Sequence, residues 1–209
     1  MDSLELDQKI IQSIKRALIL CSIKKPDSKI FYELCYYICC TRSPSKDIKA
    51  AINKLQDCCF YECNLGLKKI SGIIKEIDLS RKAEYLQYAR NHFKNVISVI
   101  NNENLCSTKK RNWLYNNIKG LTLCTASAFL INQGYTDIAV LDWRLTNILG
   151  LKEGPILDKN EYKKIEDIFL IEAKKLKISL TEFNAYQWFS KLSILWNNCF
   201  LIEFQKQFT

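Results

Sequence analysis

Two stretches of this 209-residue chain carry groups able to do chemistry: Lys119-Gly120-Leu121-Thr122-Leu123-Cys124, and Asp142. In the first, a glycine turn between two helical segments leaves backbone N–H groups facing outward. With the positive end of the second helix these make an anion site suited to one phosphate. Such a contact positions a duplex without reading its sequence. An ordinary αα-hairpin, in which Gly120 only turns the chain, fits the same pattern. Cys124 adds a thiol at the start of the second helix, where a lowered pKa would make it a nucleophile. Asp142 precedes "WRLTNIL" and suits an N-cap. The same carboxylate could steady positive charge developing on a sugar, or assist proton transfer. Local sequence leaves both readings open.

The elements that position these groups are helices. "LDQKIIQSIKRALILCSI" repeats apolar residues at three and four and stops before Pro26 and Asp27. "KIFYELCYYICCTR" sets Phe31, Leu34, Cys35, Ile38 and Cys39 on one face, and "SPSKDIKAAINKLQD" opens with a serine cap and a first-turn proline. "SRKAEYLQYARNHFKNVISVI" reads as one longer amphipathic helix capped by Ser80. "STKKRNWLYNNI" leads into the hairpin, and "WRLTNILGL", "KNEYKKIEDIFLIEAKKLKI" and "SLTEFNAYQWFSKLSILWNNCFLIEFQ" follow Asp142. No alternating strand pattern persists, so the expected fold class is all-α. Residues 150–160 are the clearest loop.

The balance of 31 basic against 22 acidic residues, a net charge of +9, fits a polyanionic partner. No apolar run approaches the roughly 20 residues that span a bilayer, and the acidic amphipathic N-terminus is unlike a signal peptide. A cytoplasmic monomer without a membrane role or cofactor is expected. Ten cysteines in such a chain read as reduced core thiols. Cys35 with Cys39 and Cys59 with Cys63 have the spacing for a four-thiolate zinc site, yet packing thiols, and no metal, are the expectation. His92, the one histidine, is expected at the surface or between helices rather than as a general base. Lys109, Lys110 and Arg111 oppose the dipole of the helix they open, which favours a phosphate-facing role, and Arg81 and Lys82 share that ambiguity.

"RNWLYNNIKGLTLCTASAFLINQGYTDIAVLDWRL", "RKAEYLQYAR", "FYELCYYICCTRSPSKDIKAAINKL" and "ISLTEFNAYQWFSKL" together carry a resemblance. In the order and spacing they have along the chain, these stretches resemble the second, archaeal and bacterial type of 8-oxoguanine DNA glycosylase/lyase, of the helix–hairpin–helix superfamily. The resemblance implies a two-lobed all-α fold, with lobes near 31–120 and 1–30 plus 121–209, and the hairpin at 108–133. It implies double-stranded DNA with a damaged base as partner, and a base flipped from the duplex. It assigns the phosphate-binding turn to Lys119, Gly120, Leu121, Thr122 and Leu123, the supporting carboxylate to Asp142, and the base-stacking ring to Trp188.

Departures gather at the site. Thr122 replaces the second glycine of the turn, and a positive φ there is costly for a β-branched residue. Cys124 stands at the position of the lysine that forms a Schiff base with the sugar, and Ala128 where a histidine is usual. Trp143 and Arg144 replace a basic residue and a histidine. The chain also continues past Trp188 beyond the usual end. Three outcomes follow. Cys124 or water attacks in a monofunctional glycosylase; another amine, such as Lys119, restores the lyase step; or the chain is a degenerate homologue that binds DNA or a protein. A basic helical interaction protein with no DNA role is the reading furthest from these.

Overall fold

The computed structural model describes residues 7–40, 45–77, 81–154 and 158–192, and the regular structure among them is helical, with no strand. The chain divides into two compact units, Lys24–Leu130 and Met1–Ile23 with Ile131–Thr209. The second hairpin helix therefore lies almost wholly in the internal unit.

The internal unit is built on α2, Asp27–Cys39, which buries every residue from Ile30 to Cys39 except Glu33. A helix apolar on nearly all sides has to be covered on all sides. α3, Ser45–Asp57, covers one flank through a stripe at Ile48, Ala51, Ile52 and Leu55. Ser43 and Pro44, the expected cap and first turn of that helix, lie outside the described residues. After α4, Leu67–Ile73, and a single 3-10 turn at Lys75–Ile77, α5, Lys82–Asn91, covers another flank of α2. An aromatic cluster closes this core, with Phe31 5.5 Å from Phe60 and 5.2 Å from Phe93 between ring centroids.

The one long helix expected over 80–100 is two. α5 ends at Asn91, and α6, Phe93–Ile100, starts after His92, whose backbone leaves helical geometry at φ −104°, ψ 8°. His92 draws on one carbonyl twice, through its own N–H and through Nδ1 2.9 Å from Tyr88 O. Ser80 lies outside the described residues. α7, Ser107–Asn117, and α8, Leu123–Asn132, form the hairpin.

Two lysines read as candidates for phosphate contact serve this core instead. Lys82 is buried and its Nζ donates to Cys39 O, the last residue of α2. Lys110, also buried, donates to Ile100 O, the last residue of α6, at 2.9 Å. Each ammonium satisfies a carbonyl at the negative end of a helix. Arg111 is buried as well, its Nη1 3.5 Å from Ser127 Oγ on α8, while Arg81 and Lys109 are exposed.

The other unit joins α1, Gln8–Ser22, to α9, Trp143–Ile148, α10, Lys159–Lys175, and α11, Leu180–Leu192. Asp7 and Asp158 accept from the backbone N–H groups of the first turns of α1 and α10. Ser179 and Glu182 bond each other's backbone N–H groups as a capping box at the start of α11. α11 packs against α1, α9 and α10. Among the described residues no helix is long and apolar enough to cross a membrane.

Candidate active site

The hairpin turn rests on α5. Gly120 has φ +90°, and a Cβ there would stand 2.8 Å from Tyr85 Cδ2 and 3.0 Å from Ile38 Cγ2. Both the left-handed backbone and the close approach demand glycine. One turn along α5, the Tyr88 ring carries Lys119, whose Nζ lies 4.8 Å above its centroid, and stacks on His92 at 3.9 Å. Cation and ring hold Lys119 at the exposed edge of the turn. Leu121 and Leu123 bury their side chains on either side of Thr122 and anchor it.

Thr122 does not take the second glycine's place by a positive φ; among the described non-glycine residues only Cys59 and Lys177 have one. It caps α8. Thr122 Oγ1 accepts from Thr125 N–H at 3.1 Å, and Thr125 Oγ1 accepts from Thr122 N–H at 2.8 Å. This is a capping box with threonine at both ends. Leu121 N–H donates to Ile118 O. Two of the turn's backbone donors thus already have partners inside the hairpin, which narrows how a phosphate would be held there. Cys124 is half-buried on the first turn of α8, and Ala128, one turn on, is buried.

Asp142 lies in the other unit, at the end of a non-helical strap, residues 136–141, and caps α9 with its Oδ1 2.8 Å from Arg144 N. Its carboxylate is also gripped by the Arg144 guanidinium, Nε to Oδ1 at 2.8 Å and Nη2 to Oδ2 at 3.0 Å.

A strap without helix or strand must find partners for each buried peptide group. Here α10 and α11 supply them. Glu166 accepts from Ala139 N–H at 2.9 Å; Tyr162 Oη donates to Ala139 O at 2.7 Å and accepts from Leu141 N–H. Asn184 bonds both N–H and O of Val140, at 2.8 and 3.1 Å, and Thr181 Oγ1 donates to Ile138 O. Trp188 Nε1 donates to Val140 O at 3.1 Å. Asp142 and Trp188 are therefore tied to one backbone segment. Trp188 is 3% exposed, so a base can stack on its ring only where that face is uncovered.

Sequence reasoning missed Tyr162, Glu166, Thr181 and Asn184. The available signal was polar residues at helical spacing on otherwise apolar stripes: Glu166 falls between the buried Ile165 and Phe169. The two cysteine pairs weighed as a zinc site differ in setting. Cys35 and Cys39 are buried in α2, whereas Cys59 and Cys63 are exposed. Burial pushes the Cys39 thiol up to about 12, with Lys82 pulling the other way, and raises Cys35 well above the usual thiol range.

This arrangement of helices, with a hairpin in one unit and a capped aspartate in the other, is the fold of the helix–hairpin–helix DNA glycosylases. The crystal structure of Methanocaldococcus jannaschii 8-oxoguanine DNA glycosylase matches with a TM-score of 0.72 at 22% identity, over 87% of this chain and 91% of that one. The same organism's 8-oxoguanine glycosylase/lyase in complex with a 15-mer DNA containing 8-oxoguanine matches at 0.67 and 24%, over 88% of each chain. In sequence, the chain belongs to the 8-oxoguanine DNA glycosylase family of helix–hairpin–helix type, whose model matches residues 15–178. It is 32% identical over 117 residues to the 8-oxoguanine DNA glycosylase/AP lyase of M. jannaschii, a match spanning 52% of this chain and 54% of that protein.

Proposed function

We propose that this chain is a monomeric DNA glycosylase of base-excision repair that removes 8-oxoguanine from double-stranded DNA and leaves the abasic site uncut. The observation that carries the reading is Asp142, fixed by its cap and by the buttressed strap in a chain of this family. The hairpin, with Lys119 at its edge, holds a phosphate of the duplex and the damaged base is extruded. Trp188 offers its ring to that base once uncovered. As the glycosidic bond breaks, the base leaves with the bonding pair and positive charge grows on the sugar, where the Asp142 carboxylate stabilises it. Water then adds to C1′ and passes a proton to the departed base. Where the Cys124 thiolate adds first, water displaces it, the C–S bond breaks, and the same abasic sugar is released. A thiol cannot form the Schiff base that strand cleavage requires, so an alkali-labile site is the product.

A second reading, a catalytically degenerate homologue that binds DNA without chemistry, draws on the Arg144 grip on Asp142 and on Cys124 itself. Labelled duplex with 8-oxoguanine opposite cytosine separates the two. Cleavage only after hot alkali supports the glycosylase. Cleavage without alkali, with borohydride trapping, means that an amine such as Lys119 acts in place of the missing lysine. Binding with no product in either lane supports the degenerate homologue.

A further inference from the structure

Gln187 lies on α11 between Tyr186 and Trp188, and only 1% of it is exposed. Neither its Nε2 nor its Oε1 has a hydrogen-bond partner among the described residues. Three buried polar side chains of this helix, Thr181, Asn184 and the Trp188 indole, bond the strap before Asp142. Tyr186 Oη, also buried, accepts from Asp7 N–H at 3.3 Å, which leaves the Gln187 amide with its full capacity, two N–H donors and a carbonyl acceptor. An amide without partners in the interior opposes folding, and an apolar side chain of similar volume would relieve that cost. A group of this kind, next to the residue placed against the base, calls for a ligand rather than a packing role.

We infer that Gln187 reads the extruded base: its amide takes a lactam edge, a ring N–H beside a C=O, of the purine that Trp188 stacks on. Oε1 accepts from the ring N–H and Nε2 donates to the carbonyl. Consecutive helix positions diverge by about 100°, so a flat ligand lying on one side chain meets the next at its edge. Guanine offers such a pair at N1–H and C6=O. The 8-oxo form offers a second at N7–H and C8=O, where guanine has an acceptor beside a C–H. The inference rests on the glycosylase reading.

The test is equilibrium binding by the full chain carrying Asp142→Asn, so that chemistry does not intervene, with and without Gln187→Met. Three duplexes are compared, holding 8-oxoguanine, a mismatched guanine, or an abasic analogue. Gln187→Met is expected to weaken lesion binding about tenfold, to leave the abasic duplex unchanged, and to unfold at the same or a higher temperature. Loss confined to 8-oxoguanine identifies the N7–H edge; equal loss on the mismatched guanine identifies the N1–H edge. Gln187→Glu, which keeps the shape and removes the donors, is expected to lose lesion affinity too. Unchanged lesion affinity in a folded Gln187→Met chain overturns the inference. So does a lower unfolding temperature with equal weakening on all three duplexes, the result expected of an amide held by a trapped water. A parent chain that does not distinguish the lesion from undamaged duplex fails the glycosylase reading and this inference with it.

Discussion

Arg144 holds Asp142 by both ends of its guanidinium fork, with Nε 2.8 Å from one carboxylate oxygen and Nη2 3.0 Å from the other. The pair is mostly sheltered, with side-chain exposures of 32% for the arginine and 14% for the aspartate. Asp142 therefore has two structural duties, cap and ion pair, beside the chemical one proposed for it.

Those duties separate by substitution. Asparagine caps as well as aspartate, whereas alanine does not. Asp142→Asn is expected to abolish base release with duplex affinity within about twofold, since it leaves the phosphate-binding turn proposed at Gly120 untouched. Asp142→Ala is expected to unfold about 1 kcal/mol more easily than Asp142→Asn. Unchanged base release by Asp142→Asn, followed as free 8-oxoguanine, would remove the carboxylate from the mechanism.

Cys124→Lys is expected to create what the wild type lacks. The position is half-buried on the first turn of α8, and an amine there completes the pattern that the family resemblance implies. Borohydride should trap a covalent adduct between Cys124→Lys and lesion duplex, and none with wild type. Equal trapping in both would show that another amine already acts.

Lys119, exposed at the turn, and Lys110, buried against a helix end, are expected to respond differently to substitution. Lys119→Ala is expected to weaken duplex binding and lower the slope of log affinity against log salt by about one. Lys110→Met is expected to leave that slope alone while lowering stability by about 1–3 kcal/mol, because Ile100 O loses its buried partner. A slope that falls with Lys110→Met would place it on the DNA after all.

Alkali should loosen the internal unit. The Cys39 thiol is raised from 9.0 to about 12 by burial, and Cys35 is raised too. A group raised in the fold contributes its stability below the unfolded value and loses it as pH climbs through the folded one. The urea midpoint is therefore expected to decline from about pH 9 toward about pH 12, and less steeply in Cys35→Ala/Cys39→Ala. Each protein is compared with its own midpoint at neutral pH. Identical declines would show that the thiols are not the cause.

The sequence by itself determined what depends on near neighbours. The apolar stripe of α1, the one-sided apolar face within α2, and the glycine turn at Gly120 were legible because spacing and backbone sterics act over one or two helical turns. The hairpin and Asp142 could be located on the same grounds, together with the family resemblance. Tertiary structure decided where a polar side chain spends its charge or hydrogen bonds. Lys82 and Lys110 look like solvent-facing or phosphate-facing cations until distant helix ends, Cys39 and Ile100, are brought to them. The strap before Asp142 owes its shape to Glu166, Tyr162, Asn184 and Trp188, remote in sequence. Periodicity shows that a helix has a buried face. Which backbone carbonyl or N–H waits on the other side of that face is set only when the chain closes on itself, since each buried polar group must then find a partner.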